Sequence, residues 1–98
     1  MAGEALFRKK VLAFLKDFDI EGKITITTIQ NLSVRGVSDI ILCVKGQFWA
    51  VELKGTDGVP SKLQTRYLEK ISRSGGTSWE LYPHKFEEFK QAIKEAVR

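Results

Sequence analysis

Cysteine and histidine are almost missing from this chain. One cysteine, Cys43, and one histidine, His84, occur in 98 residues. No internal disulfide can form, which excludes a disulfide-stapled secreted scaffold. One His and one Cys also fall short of a zinc site, and a catalytic cysteine would have only His84 as its base. Cys43 lies mid-strand among apolar residues and is read as a small core residue. His84 is read as a surface or capping group at the start of the last helix. No apolar run approaches the roughly 20 residues that span a bilayer, and the N-terminus lacks the layout of a signal peptide. The expected location is therefore cytoplasmic. Internal repeats, low-complexity tracts and a Gly-rich phosphate loop are all missing. What is present is ordinary for a globular protein, with 43% hydrophobic and 29% charged residues. That composition is wrong for disorder, and the length suits one domain, residues 1–98.

Sixteen Lys and Arg against twelve Asp and Glu give a formal charge of +4. A basic balance favours polyanionic partners such as nucleic acid, but where the charges sit matters more than their sum.

Hydrophobic periodicity orders the chain as αβββαβα. Phe7, Val11, Phe14 and Phe18 recur at helical steps and predict an amphipathic helix over 3–18. In 23–30, Ile24 and Ile26 alternate with Thr25 and Thr27 and predict a strand. A loop over 31–37 precedes two strong strands, 38–44 and 47–53. Lys45-Gly46 between them fits a two-residue hairpin turn. The loop Gly55-Thr56-Asp57-Gly58 leads to a helix over 60–74. Its apolar stripe is Leu63, Tyr67, Leu68 and Ile71, and Gly75-Gly76 can stop it. A strand over 77–82 carries Trp79 and Leu81 on one face. A last helix over 84–97 buries Phe86, Phe89, Ile93 and Ala96 or Val97. The pattern is an α/β fold with a mixed sheet. One face of the hairpin carries Ile40, Leu42, Val44, Trp49, Val51 and Leu53. The other carries Ile41, Cys43, Phe48 and Ala50. A sheet apolar on both faces calls for helices on both.

The hairpin also brings chemistry together. With Lys45-Gly46 as the turn, Val44 pairs with Gln47, and counting outward sets Asp39 opposite Glu52. Lys54 shares their face, one repeat beyond, because side chains alternate with period two. A slip of one residue would send Asp39 to the other face. Facing carboxylates repel and are costly to bury, so the pair calls for a counter-ion. A hard divalent cation with oxygen ligands answers that need, and Mg²⁺ is the common choice at phosphate sites. The chemistry this permits is phosphodiester hydrolysis, in which the metal polarises the phosphate and acidifies a water. Lys54 can orient that water or offset charge on the phosphorane-like transition state. Glu4 extends the first helix's apolar stripe. It is either a group reaching toward a metal or an N-terminal acid favoured by the helix dipole.

Glu-x-Lys alone means little. It occurs three times here, at Glu21, Glu52 and Glu88, against about one expected by chance from eight Glu and eleven Lys. Only the Glu52 copy ends an apolar strand and faces an Asp across a hairpin. The bland alternative is a strand-end ion pair between Glu52 and Lys54, with Asp39 solvated.

The stretch Arg35-Gly36-Val37-Ser38-Asp39-Ile40-Ile41, then Phe48-Trp49-Ala50-Val51-Glu52-Leu53-Lys54, then Ser61-x-x-Gln64, resembles the virus-type replication-repair nuclease domain, VRR-NUC. That domain belongs to the PD-(D/E)xK nuclease superfamily. The resemblance runs from about Glu4 to Tyr82, with Ser38 where the family usually has proline. It implies a restriction-endonuclease-like αβββαβ core followed by a C-terminal helix. It further implies Asp39 and Glu52 as metal ligands, the Leu53 carbonyl as a third, and Mg²⁺ or Mn²⁺ as cofactor. Lys54 would be the catalytic lysine, Gln64 the glutamine on the following helix, and Glu4 the acid of the first helix, second-metal or outer-sphere. Small stand-alone members are associated with homodimers that cut branched DNA such as Holliday junctions, and larger ones with repair.

Two residue groups keep two readings each. Gln64 either closes a capping box with Ser61 or joins the site. Lys62, Arg66, Lys70 and Arg73 recur at steps of four, four and three and form a one-sign stripe. Such a stripe is either plain solvated surface or a track for a phosphate backbone, to which Arg8, Lys9, Lys10 and Arg35 could add. The function expected is a metal-dependent endonuclease acting on DNA. The competing class is a non-catalytic nucleic-acid-binding module that keeps the stripe but holds no metal.

Overall fold

The computed structural model describes residues 2–29, 39–55 and 62–98, with side chains from residue 5 onward. The expected loop over 31–37, Arg35, the loop after Gly55, and the Pro60 and Ser61 start of the second helix lie outside the described residues. So does the side chain of Glu4.

The element order is α1 (Ala2–Ile20), β1 (Ile24–Thr28), β2 (Ile40–Val44), β3 (Gln47–Leu53), α2 (Lys62–Arg73), β4 (Thr77–Leu81) and α3 (Phe86–Ala96). A 3₁₀ turn, Pro83–Lys85, precedes α3, where the sequence suggests regular helix from His84. Four strands form one sheet in the order β1-β2-β3-β4. The first three are antiparallel, and β4 lies parallel to β3. A parallel neighbour requires a crossover, which α2 supplies.

The hairpin register follows from its turn. Val44 pairs with Gln47 and Ile40 with Val51. Lys45 and Gly46 both have positive φ, 50° and 84°. This is the left-handed geometry that matches a two-residue turn to the sheet's twist. Lys45 Nζ donates to the Arg98 carbonyl at 2.7 Å, tying the last residue to that turn.

One face of the sheet carries the main core. Ile40, Leu42, Val44, Trp49, Val51 and Leu53 pack with Phe7, Val11 and Leu15 of α1 and with Phe89 and Ile93 of α3. Edge-to-face rings tie α3 to its neighbours: Phe89 meets Trp79 of β4 at 5.3 Å, and Phe86 meets Phe7 of α1 at 5.6 Å. The buried line of α1 is Phe7, Val11 and Leu15, with Phe14 and Phe18 only half-buried beside it. The aromatic stripe read from the sequence is thus the flank of the buried face, and Leu15 is its centre.

α2 packs on the other face, over β3 and β4. At its C-terminus the chain turns through Gly75 and Gly76. A Cβ on Gly76 would stand 2.7 Å from Ile71 Cγ2 and 2.9 Å from the Phe48 carbonyl. Only glycine allows the chain to pass so close to β3.

Two expectations need correction. The second face is not fully covered: Cys43 is exposed, and Phe48 is 41% exposed. Cys43 is therefore not a core residue. For Cys43 the cause is the position of α2, which a β3-to-β4 crossover seats over those two strands and away from β2; Phe48 is its cross-strand partner at the turn end of β3. Leu63, expected in the apolar stripe of α2, is 49% exposed, and Leu68 is the residue buried there.

Candidate active site

The β2–β3 ladder ends at Ile40–Val51, so its next rank places Asp39 opposite Glu52. Past the ladder, the Leu53 amide points toward β2 and donates to Asp39 Oδ2 at 3.1 Å. On the other side of β3, the Lys54 amide donates to the Leu81 carbonyl at 2.9 Å. Asp39 is thus fixed to the backbone beside Glu52, on the face covered by α2.

Glu52 is the one buried charged residue among those described, at 2% exposure. Gln64, in the first turn of α2, donates Nε2 to Glu52 Oε1 at 2.7 Å and accepts from Lys54 Nζ at 3.1 Å. Lys54 Nζ lies 3.7 Å from Glu52 Oε1, which closes the triangle. Of the two roles the sequence allowed, the site role is seen, because both ends of the Gln64 amide bond to this cluster; the Ser61 half of a capping box lies outside the described residues. The bland picture of a solvated Asp39 beside a strand-end ion pair does not describe the site, because Asp39 is half-buried and bonded to β3.

The other oxygen of the ionised carboxylate, Glu52 Oε2, is buried with no hydrogen-bond partner among the described residues. Burial, then the charge of Asp39, pushes the Glu52 carboxyl up from an ordinary 4.5 to about 8. A hydrogen bond from the neutral Glu52 carboxyl to Asp39 acts in the same direction, and Lys54 pulls the other way without winning. The protein therefore holds two acids together and supplies less positive charge than they need. A hard cation fits that donor set: two carboxylates, one with an unpartnered oxygen, at a strand end. Among the described residues no third acid, His or Cys joins Asp39 and Glu52 at metal-ligand spacing.

One acid escaped the sequence reading. The parallel register sets Glu80 of β4 beside Glu52 of β3. Its side chain lines a groove of about 390 Å³ between α2 and β4, with Thr65, Glu69, Ser72 and Ser78. Nothing local in the sequence reports a parallel register, so this neighbour had no signal.

The basic stripe is where the periodicity put it. Lys62, Arg66, Lys70 and Arg73 are all exposed on α2. Arg73 pairs with Glu69 at 3.7 Å, so the stripe is partly neutralised at its far end. Lys9 and Lys10 are exposed on α1, and Arg8 is half-buried. Among the described residues no helix is long and apolar enough to cross a membrane. No family model, curated protein or solved structure matches this chain.

Proposed function

We propose that this chain is a Mg²⁺- or Mn²⁺-dependent endonuclease of the VRR-NUC type, with a restriction-endonuclease-like core. The observation that carries the reading is Glu52: buried, with Oε2 of its ionised form unpartnered among the described residues, and set beside Asp39. A buried acid set against a half-buried one, short of positive charge, is strained as protein alone and satisfied as a cation site. Asp39, Glu52 and the Leu53 carbonyl would hold the ion. When bound, it would polarise the scissile phosphate and acidify a water.

The remaining steps belong to the chain's own residues. Lys54 Nζ, held by the Gln64 carbonyl, would offset the charge that builds on the phosphorane-like transition state. The same ammonium can orient the attacking water. Gln64 fixes Glu52 and Lys54 relative to each other, so neither has to be reoriented during the reaction. Asp39 acts from a backbone-anchored position. The exposed cations of α2 begin within one turn of Gln64 and supply phosphate contacts along the substrate. The substrate proposed is branched or flapped DNA in replication, recombination or repair, met in the cytoplasm. Paired incisions in such DNA need two sites, which a two-fold homodimer provides.

The test is direct. The purified protein should nick DNA with Mg²⁺ or Mn²⁺ and not with EDTA. Asp39→Asn, Glu52→Gln and Lys54→Ala should each abolish cutting and keep DNA binding. Parent-like cleavage by all three would overturn the assignment. Titration with Mn²⁺ that gives neither heat nor a melting shift would favour a non-catalytic nucleic-acid-binding module. Linear, flap, splayed-arm and four-way substrates, run alongside light scattering, would define the DNA structure and the dimer.

A further inference from the structure

Seven of the ten Phe, Trp and Tyr residues belong to the main core or pack against it: Phe7, Phe14, Phe18, Trp49, Trp79, Phe86 and Phe89. Phe48, Tyr67 and Tyr82 do not. Tyr82 has a specific neighbour. Its ring stacks on the His84 imidazole with centroids 5.4 Å apart and planes within 23°. His84 is exposed and Tyr82 half-buried, so the stack is open to solvent on its His84 side.

Its position gives this stack meaning. Leu53 pairs with Leu81, and the Lys54 amide donates to the Leu81 carbonyl. The next rank sets Tyr82 beside Lys54. Tyr82 is extended, with φ −99° and ψ 158°, so it continues the alternation of β4 and shares the parity of Glu80 and Ser78. That is the parity of Glu52 and Lys54 on β3. The intervening Pro83 and the Lys85 amide bonded to the Tyr82 carbonyl at 2.9 Å brace the turn that carries both rings.

We infer that Tyr82 and His84 form a stacking platform for an unpaired nucleobase next to the phosphate that Lys54 serves. This rests on the nuclease reading of Asp39, Glu52 and Lys54 and narrows its substrate to strands with an unstacked base at the cut. An exposed ring such as His84 accepts any base, because every base has a π face, and so confers structure preference without sequence preference. In a fully paired duplex the base is held in its own stack and gains nothing from the rings. At a splayed arm or a branch it is free to move onto them.

The probes are a splayed-arm DNA, the fully paired duplex of the same length, and the splayed arm with one abasic position next to the junction. Binding is read by anisotropy in EDTA, where no cleavage is expected. His84→Ala, an exposed change that leaves the core alone, and Tyr82→Ala should weaken splayed-arm binding roughly 5- to 160-fold, the size of one base–aromatic stack. Duplex binding should change less than about twofold, and His84→Tyr should restore the preference. The abasic arm should bind weakly to the parent and lose nothing further in His84→Ala. Equal losses on arm and duplex, or no loss on either, would overturn the platform. The two proposals fail separately. Cleavage with Mn²⁺ and no arm preference removes the platform alone. Arm preference without cleavage leaves the platform standing and removes the nuclease reading.

Discussion

Leu53 donates its backbone amide to Asp39 Oδ2 at 3.1 Å, so the aspartate of the candidate metal site is also the cap of the β2–β3 ladder. The two roles come apart under substitution. Asp39→Asn keeps a carbonyl oxygen for the Leu53 amide and should fold nearly as well as the parent while losing the heat of Mn²⁺ binding. Asp39→Ala removes the acceptor and should cost about 1–3 kcal/mol as well. Urea unfolding beside Mn²⁺ calorimetry checks both.

Gln64 is the joint between Glu52 and Lys54, so its loss should cost more than one hydrogen bond. Gln64→Ala is expected to destabilise the fold by about 1–3 kcal/mol and to slow cleavage, because it leaves Glu52 Oε1 without its amide donor. Gln64→Glu keeps the size but puts a second carboxylate against Glu52, and should be the worse of the two in metal-free protein. Mn²⁺ should recover part of that deficit. Melting curves with EDTA and with Mn²⁺ separate these outcomes.

The raised carboxyl of Glu52 sets a pH dependence whose sign is fixed. Its folded value of about 8 lies above the ordinary 4.5. Below 4.5 both folded and unfolded chains hold the proton, and the neutral group fits its buried place. Between 4.5 and 8 the unfolded chain releases a proton that the folded chain keeps, so stability falls as pH rises. Above 8 the loss is complete. Metal-free protein should therefore melt lower at pH 8 than at pH 5, and Glu52→Gln should flatten that part of the curve. Mn²⁺ should raise the melting temperature more at pH 8 than at pH 6, since a ligand must shed its proton to bind.

Along α2, the stripe predicts graded salt effects. Lys62→Ala and Arg66→Ala should each reduce the slope of log affinity against log salt by about 1. Arg73→Ala should do less, because its guanidinium already faces Glu69. Anisotropy over a salt series measures all three.

Two leucines separate core from surface. Leu15 is fully buried, and Leu15→Ala should cost about 2–5 kcal/mol. Leu63 is 49% exposed, and Leu63→Ala should stay within about 0.5 kcal/mol. Denaturant midpoints decide.

These residues also mark what a sequence can and cannot say about this fold. The hairpin was legible because a two-residue turn and a period of two fix every pair as far as Asp39 and Glu52. The parallel neighbour was not. The register of β4 depends on how far α2 carries the chain back, which no local pattern encodes, so Glu80 and Tyr82 gave no sign of standing beside Glu52 and Lys54. Alternation likewise showed which face Cys43 and Phe48 take, but coverage of that face depends on where α2 lands. In α1, Phe14 and Phe18 satisfied the helical step and drew attention from Leu15, although the flank of a buried stripe shares the period of its centre. Gln64 was ambiguous because three residues from a serine at a helix start suits a cap and a site equally.

The bond between Lys45 and Arg98 pins residue 98 to the hairpin turn. β3 runs for about 20 Å between that turn and the acids, so residue 98 lies at the opposite pole. A fluorophore or surface tether attached at residue 98 would sit there, away from the acid pair. Immobilised protein should then cut as freely as protein in solution.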